Sequence, residues 1–243
     1  MHKWKYHFLL VLSKKIRIIT TIILVISGII FLYQSNIFEG ILSIDGLRES
    51  YSSMYISNSV IYSKMILTIY SIFLFGEMGN ESHQKYVVYW MDGTHGRAQY
   101  QFFNSAVYFV VFCLFLIGIL LLFGVIGKTV LMIEMSIYEI IQLFVKLGLQ
   151  AVFYGFLSLL ILRIFNHSLS MIFSIFIYWS IEFLSTSNTL EGSSLGNELQ
   201  SVFPIVMFID GKYRFVAETY EYVIILIAIF LLWFVASVKS EIQ

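Results

Sequence analysis

Residues 102–123 read FFNSAVYFVVFCLFLIGILLLF and contain no charged side chain. An α-helix rises about 1.5 Å per residue, so about 20 apolar residues cross the hydrocarbon core of a bilayer, which is about 30 Å thick. The run is too long for a single strand, since strands seldom exceed about ten residues. It therefore predicts a membrane-spanning helix and sets the fold class that the rest of the chain has to match.

The composition of the chain points the same way. Of its 243 residues, 59% are hydrophobic and 12% are charged, and the mean hydropathy is +0.85. An average globular sequence has about a quarter charged residues, so most of this surface is expected to face lipid. Fifteen basic and fifteen acidic residues cancel, which gives no argument for a nucleic-acid partner. The single cysteine, Cys113, allows neither an internal disulfide nor a cysteine metal site.

A scan for apolar stretches of about 20 residues predicts an all-α polytopic membrane protein, with residues 1–243 as a single transmembrane domain. The six predicted spans lie near 17–35, 55–76, 102–123, 140–162, 168–185 and 221–238. The apolar part of the first span is longer than a signal-peptide core and no small-x-small cleavage site follows it, so we expect it to remain as a helix.

Basic residues predict the orientation of these spans, because Lys and Arg are enriched in cytoplasmic loops. With the N-terminus inside the cell, nine of them are cytoplasmic and four are outside. The nine are Lys3, Lys5, Lys14, Lys15, Arg17, Lys85, Arg97, Arg163 and Lys239, and the four are Arg48, Lys128, Lys212 and Arg214. Both termini are therefore predicted in the cytoplasm. Abundant Ile, Ser and Tyr with little Pro and Ala suggest an AT-rich bacterial genome, so the expected location is the bacterial plasma membrane.

Two segments outside the spans have patterns of their own. Residues 1–16 mix aromatic and aliphatic residues with lysines and histidines, which is typical of an amphipathic helix lying on the inner leaflet. A cytoplasmic extension of the first spanning helix fits that pattern equally well. The outer loop, residues 186–220, is long enough to hold structure, and its apolar part around Pro204 predicts a short helix or re-entrant piece at the outer interface.

The cytoplasmic connector between the second and third spans reads GEMGNESHQKYVVYWMDGTHGRAQYQ, residues 76–101. Ser82 to Met91 can form about three turns of helix with an aromatic face, and the Asp-Gly-Thr at 92–94 then ends it. An exposed aromatic face of this kind usually marks a partner surface. The alternative is a helix lying flat with its Tyr and Trp side chains in the lipid headgroup region.

In its spans, basic N-terminal stretch, connector and final outer loop, the chain resembles the permease subunits of type-2 ATP-binding-cassette exporters. The architectural resemblance covers the whole chain, and the motif-level resemblance covers residues 76–101. In that family a short coupling helix is followed by a turn whose sequence is similar to Pro-x-Ser-Arg. Here GTHGRAQY occupies that position, so Arg97 is kept while the proline and serine are absent.

This resemblance implies that residues 77–97 dock on a separate ATPase, with Glu81 to Asp92 as the cytoplasmic coupling helix. The implied docking residues are Glu77, Glu81, Tyr86, Tyr89, Trp90, Asp92 and Arg97. It also implies two copies of that ATPase and a second permease, either identical or a paralogue. ATP and Mg²⁺ would be bound by the ATPase, and this chain would bind no cofactor.

Gly127-Lys128-Thr129 matches the end of a phosphate-binding P-loop. A P-loop also needs a glycine five positions earlier, where this chain has Leu122, and a strand before it rather than a long apolar run. We interpret the match as a chance sequence at the end of a membrane helix. The histidines, with His83 and His95 twelve residues apart and no carboxylate or cysteine at metal-ligand spacing, predict no metal site or catalytic centre.

Polar residues within the predicted spans are the candidates for a transport pathway. Lys64 lies near the middle of the second span, Lys146 lies in the fourth and Glu182 in the fifth. Charges inside a membrane usually pair with one another and also mark pathways. We expect an ion pair of Lys64 or Lys146 with Glu182, with Asn58 adding polar character to the second span.

The leading hypothesis is an ABC permease that forms half of a pathway and exports a hydrophobic or amphipathic substrate. A peptide is the first choice, because many small permeases of this kind export antimicrobial peptides or give immunity to them. The alternative is an ATPase-independent secondary transporter or channel, which would favour broken helices and an internal repeat. An intramembrane enzyme would need paired acidic or histidine side chains, and Glu182 alone does not supply them.

Overall fold

A computed structural model describes residues 13–42, 48–78, 97–133, 136–165, 169–187 and 226–235. These residues form helices and include no strand. In chain order the helices are α1 (Lys14–Leu42), α2 (Arg48–Met78), α3 (Arg97–Leu131), α4 (Ile137–Phe165), α5 (Leu169–Ser187) and α6 (Leu226–Val235). The predicted all-α class is confirmed for this part of the chain.

Four helices, α1 to α4, are long and apolar enough to cross a membrane. The helices α5 and α6 coincide with the fifth and sixth predicted spans and carry shorter apolar segments, Met171–Ile181 and Leu226–Val235. The chain is therefore a helical protein of membrane-spanning character. Six spans and the orientation of the termini stay predictions, and both the connector at 79–96 and the outer loop beyond residue 187 lie outside the described residues.

Each of the first four helices extends beyond its predicted span. Helix α3 covers 97–131 where the apolar run predicts 102–123, and α1 covers 14–42 where it predicts 17–35. A hydropathy scan detects only the stretch that matches the hydrocarbon core, whereas a helix continues into the polar headgroup layer until a residue ends it. The ends of the helices are therefore set by capping residues, which a hydropathy scan does not detect.

Capping residues set the starts of α1 and α4. Ser13 precedes α1, and its Oγ accepts a hydrogen bond from the Ile16 backbone N–H at 3.4 Å. Ser136 precedes α4 and forms a reciprocal capping box with Glu139. The Glu139 N–H donates to Ser136 Oγ at 3.2 Å, and the Ser136 N–H donates to Glu139 Oε2 at 2.8 Å. Residues 14–16 of the basic N-terminal stretch thus belong to α1, and residues 1–12 lie outside the described part.

Helix α3 ends at Leu131 because the next residue reverses the backbone. Met132 has a φ of 53°, in the left-handed region that favours glycine. The Ile133 N–H then donates to the carbonyl oxygen of Gly127 at 3.1 Å. This turn leads within a few residues to the capping box of α4.

We expect Met132→Gly to raise the free energy of unfolding by up to about 1 kcal/mol, because the left-handed conformation costs a residue with a Cβ about 1–2 kcal/mol and glycine loses part of that gain in chain entropy. Thermal unfolding in detergent measures the effect. Ile133→Gly is the matched control and should destabilise, since only Met132 has a positive φ among the described non-glycine residues. Equal destabilisation by both changes would contradict the prediction.

The helices group into two compact units. The first unit holds α1, α2 as far as Leu67, α3 from Phe109 and α4 as far as Gly148. Its core is aromatic around Phe123 of α3, whose ring centroid lies 6.1 Å from that of Phe31 in α1 and 5.8 Å from that of Tyr55 in α2. The Tyr55 hydroxyl donates to the Phe123 carbonyl oxygen at 3.4 Å.

The second unit holds the remaining parts of α2, α3 and α4 together with α5 and α6. Its core is built on Ile72, Tyr154 and Tyr178, which come from α2, α4 and α5. The rings of Tyr154 and Tyr178 meet edge to face with centroids 5.1 Å apart. On the same α2–α4 seam, the rings of Phe75 and Phe156 are 4.7 Å apart.

The helices differ in how much of their apolar surface is covered. In the apolar stretch of each helix that could cross a membrane, 17% of α1 is buried, against 61% of α2 and 67% of α4. The exposed apolar side chains of α1 recur every three or four residues: Ile18, Ile22, Val25, Ile26, Ile29, Leu32 and Tyr33. Such a face suits contact with lipid tails. Among the described residues, the charged side chains that are buried lie instead in α2 and α4: Lys64, Glu77 and Lys146.

Candidate functional site

The two predicted intramembrane lysines are both buried. Lys64 of α2 is 6% exposed and Lys146 of α4 is 4% exposed, and both belong to the first unit. Asn58 is half-buried six residues before Lys64 on the same helix. An ammonium group at this depth needs partners, and such residues are functional candidates in membrane proteins. Glu182 lies in α5, but its side chain is outside the described residues, so the expected ion pair stays a prediction.

The predicted docking segment is only partly described. Glu77 lies in the last turn of α2 and is buried. Arg97 is the first residue of α3, and its side chain is not described. The other candidates, Glu81, Tyr86, Tyr89, Trp90 and Asp92, lie outside the described residues. The coupling-helix hypothesis therefore rests on the sequence and on where α2 ends and α3 begins.

The Gly127-Lys128-Thr129 sequence is helical and lies in the last two turns of α3. The Thr129 hydroxyl donates to the Val125 carbonyl oxygen at 2.8 Å, as expected for a threonine within a helix. Gly127 provides room for Tyr55, since a Cβ at this position would lie 3.1 Å from Tyr55 Cε1. The interpretation of this sequence as a helix end agrees with the structure, and the glycine serves helix packing.

A polar contact joins α1 and α2 within the first unit. The Ser59 hydroxyl donates to Gln34 Oε1 at 3.3 Å, and both side chains are buried. Ser63, one turn after Ser59, is also buried, and its hydroxyl has no hydrogen-bond partner among the described residues. This unit therefore buries neutral polar groups along with the two lysines.

The α2–α4 seam of the second unit is closely packed at Gly155. A Cβ at this position would lie 2.5 Å from Phe75 Cδ2 and would also collide with Ser71 Oγ. One turn later, the Ser158 hydroxyl donates to the Ile72 carbonyl oxygen at 3.4 Å. Small residues and serine hydroxyls let membrane helices approach closely in this way.

A third polar contact connects α6, α3 and α2 within the second unit. Trp233 Nε1 donates a hydrogen bond to Ser105 Oγ at 3.0 Å. The Ser105 hydroxyl in turn donates to Met78 Sδ at 3.8 Å. The Trp233 ring also meets the Phe102 ring edge to face, with centroids 6.4 Å apart. Met78 ends α2, so this contact secures the second residue of the predicted docking segment, residues 77–97.

Several buried polar residues were missed by the sequence reasoning, chiefly Gln34, Asn104 and Gln150. The signal for Gln150 was present in the sequence. Lys146, Gln150, Tyr154 and Ser158 recur every four residues and so share one face of α4, and all of them are buried. The same reasoning applies to Gln34, because Ser27 lies seven residues before it on the same face of α1 and both side chains are buried.

Known proteins were compared with the chain at three levels. No family model, curated protein or solved structure matches it. Within the described ranges, no group of three or more His, Cys, Asp or Glu side chains could hold a metal ion. The functional argument therefore depends on the buried polar residues of membrane-length helices.

Proposed function

We propose that the protein is the membrane-spanning permease subunit of an ABC transporter, forming half of a translocation pathway. The observation that carries the proposal is the burial of Lys64 and Lys146 in helices long enough to cross a bilayer. Charged side chains are costly in a membrane, and those that are present usually mark substrate or ion pathways.

The resemblance of the 76–101 connector to a coupling segment supports an ATP-driven machine over other transporters. In this proposal the chain has six spans and cytoplasmic termini and resides in a bacterial plasma membrane. It pairs with a second permease, and each permease receives an ATPase through residues 77–97. Closing of the ATPase dimer around ATP then changes which side of the membrane the pathway faces. The proposed cargo is hydrophobic or amphipathic, with a peptide as the first choice.

The second candidate is an ATPase-independent secondary transporter or channel. It is favoured by the number of neutral polar side chains buried near the lysines, such as Gln34, Ser59 and Ser63. Transporters of this class bind substrate and coupling ions with polar groups near the bilayer midplane. The two candidates differ in whether a separate ATPase has to bind the chain.

Co-purification tests the proposal. The tagged chain is expressed together with its neighbouring genes and extracted in a mild detergent, and the bound proteins are identified. We expect an ATPase subunit to accompany the wild type and to be lost from the Tyr89→Ala/Trp90→Ala variant, because aromatic anchors dominate the binding energy of most interfaces.

Tyr138→Ala is the matched control for this experiment. Tyr138 is an exposed aromatic residue in the first turn of α4, away from the 76–101 connector in sequence, so its removal should leave the ATPase bound. A stable wild-type chain that retains no ATPase would contradict the proposal and favour the secondary transporter. Retention of the ATPase by the Tyr89/Trp90 variant would place the docking surface elsewhere.

A further inference from the structure

Thr68 and Ser71 place two hydroxyl groups on one face of α2, in the second unit. They are three residues apart, so their side chains are neighbours on the helix surface. Both are completely buried, at 0% exposure. Neither Thr68 Oγ1 nor Ser71 Oγ forms a hydrogen bond with any residue that the structure describes. Burying a hydroxyl without a partner is costly, so each such group requires an explanation.

Three other helical hydroxyls donate to a carbonyl oxygen in the preceding turn of their own helix. Thr20 donates to the Ile16 carbonyl at 2.7 Å, Ser27 to the Ile23 carbonyl at 2.7 Å and Thr129 to the Val125 carbonyl at 2.8 Å. This bond is available to any serine or threonine within a helix. Thr68 and Ser71 occupy the same kind of backbone without making it. Their hydroxyls are therefore directed toward something other than the preceding turn.

The packing around Ser71 limits the size of a ligand. Helix α4 has only a hydrogen at Gly155, and a methyl group there would collide with Ser71 Oγ and the Phe75 ring. So close a seam excludes a bulky organic ligand. A cation is disfavoured as well, because the buried Lys64 precedes Thr68 by one turn of the same helix.

We propose that Thr68 and Ser71 together hold an ordered water molecule inside the second unit. Water donates and accepts hydrogen bonds, so one molecule can satisfy two hydroxyls that are neighbours on a helix. The water would complete its hydrogen bonds on nearby backbone carbonyls of α2. This site is independent of transport and of any ATPase, and it exists in the isolated chain.

Radiolytic footprinting of the wild-type protein tests the proposal. Hydroxyl radicals formed from an internal water oxidise the side chains next to it, even where bulk water has no access. Phe75 is fully buried beside Ser71, so its oxidation would report the water. Phe31 is the matched control, because it is equally buried and packs on the Phe123 ring in the first unit. We expect oxidation of Phe75 above the level of Phe31.

The Thr68→Val/Ser71→Ala variant removes both hydroxyls with little change in volume. We expect the oxidation of Phe75 to be lost in this variant and the melting temperature to fall or stay level. Phe75 oxidation equal to that of Phe31 in the wild type would overturn the proposal. So would oxidation that persists in the variant, or a rise in melting temperature, since removal of two dry hydroxyls stabilises a protein. The wild-type measurement decides the question even if the variant fails to fold.

Discussion

Gly155→Ala will lower the free energy of unfolding by about 1–3 kcal/mol, the usual cost of forcing an extra methyl into a packed interior. The added Cβ would lie 2.5 Å from Phe75 Cδ2 and would collide with Ser71 Oγ. The serine hydroxyl can rotate away, but the aromatic ring is held between α2 and α4 against Phe156, at a centroid distance of 4.7 Å. The leucine side chain of Gly155→Leu is too large for local adjustment to accommodate, so we expect little folded protein from this variant.

Unfolding in detergent, followed by heat or by increasing SDS, measures this loss. Gly124→Ala in α3 is the matched control, because nothing lies within 4 Å of a Cβ built there. It should be neutral or stabilising, since alanine favours a helix by about 1 kcal/mol over glycine. Gly76→Ala should fall between the two, because the atoms 2.9 Å from its Cβ belong to the flexible side chain of Met171. A loss at Gly124 equal to that at Gly155 would contradict this interpretation.

The positions of the helices could be read from the sequence, because hydrocarbon imposes a long apolar run wherever a helix crosses it. All six predicted spans overlap a helix of the structure. What hydropathy could not provide was the inward face of each helix. Leu116 is 1% exposed and Leu121 is 60% exposed on the same helix, although both are leucine. Lipid and protein interior are equally apolar, so polarity does not separate the surface from the core.

Residues that are polar, or that lack a side chain, held the missing information. Lys64 and Lys146 were found from the sequence because a charge in a membrane span is conspicuous, and both are buried. Gly155 was overlooked, since a glycine within a membrane helix is common and its role appears only when the Phe75 ring is seen beside it. The Trp233–Ser105 hydrogen bond joins residues far apart in the chain, and no local pattern predicts such a contact.

Lys64→Met will be strongly destabilising, by about 3–5 kcal/mol where the ammonium group is paired with a buried carboxylate. Methionine has a similar volume and no charge, so the loss does not come from a cavity. It comes from the group that held the ammonium, which would remain buried without its partner. Lys128→Met is the matched control, because Lys128 is exposed in the last turn of α3 and should change stability by no more than about 0.5 kcal/mol.

A double-mutant cycle then tests the ion pair that the sequence predicts. Glu182→Gln is combined in turn with Lys64→Met and with Lys146→Met, and the unfolding free energy of each single and double variant is measured. A lysine that pairs with Glu182 will give a coupling energy of about 0.5–3 kcal/mol, and the double variant will be more stable than the sum of the single losses predicts. The other lysine will give additive losses, because its charge is held by a different group.

Additive losses for both lysines would remove Glu182 from the pair. In that case each ammonium is compensated elsewhere, and the two lysines become stronger candidates for a direct role in the pathway, since neither would be explained by the acidic residue predicted in the fifth span.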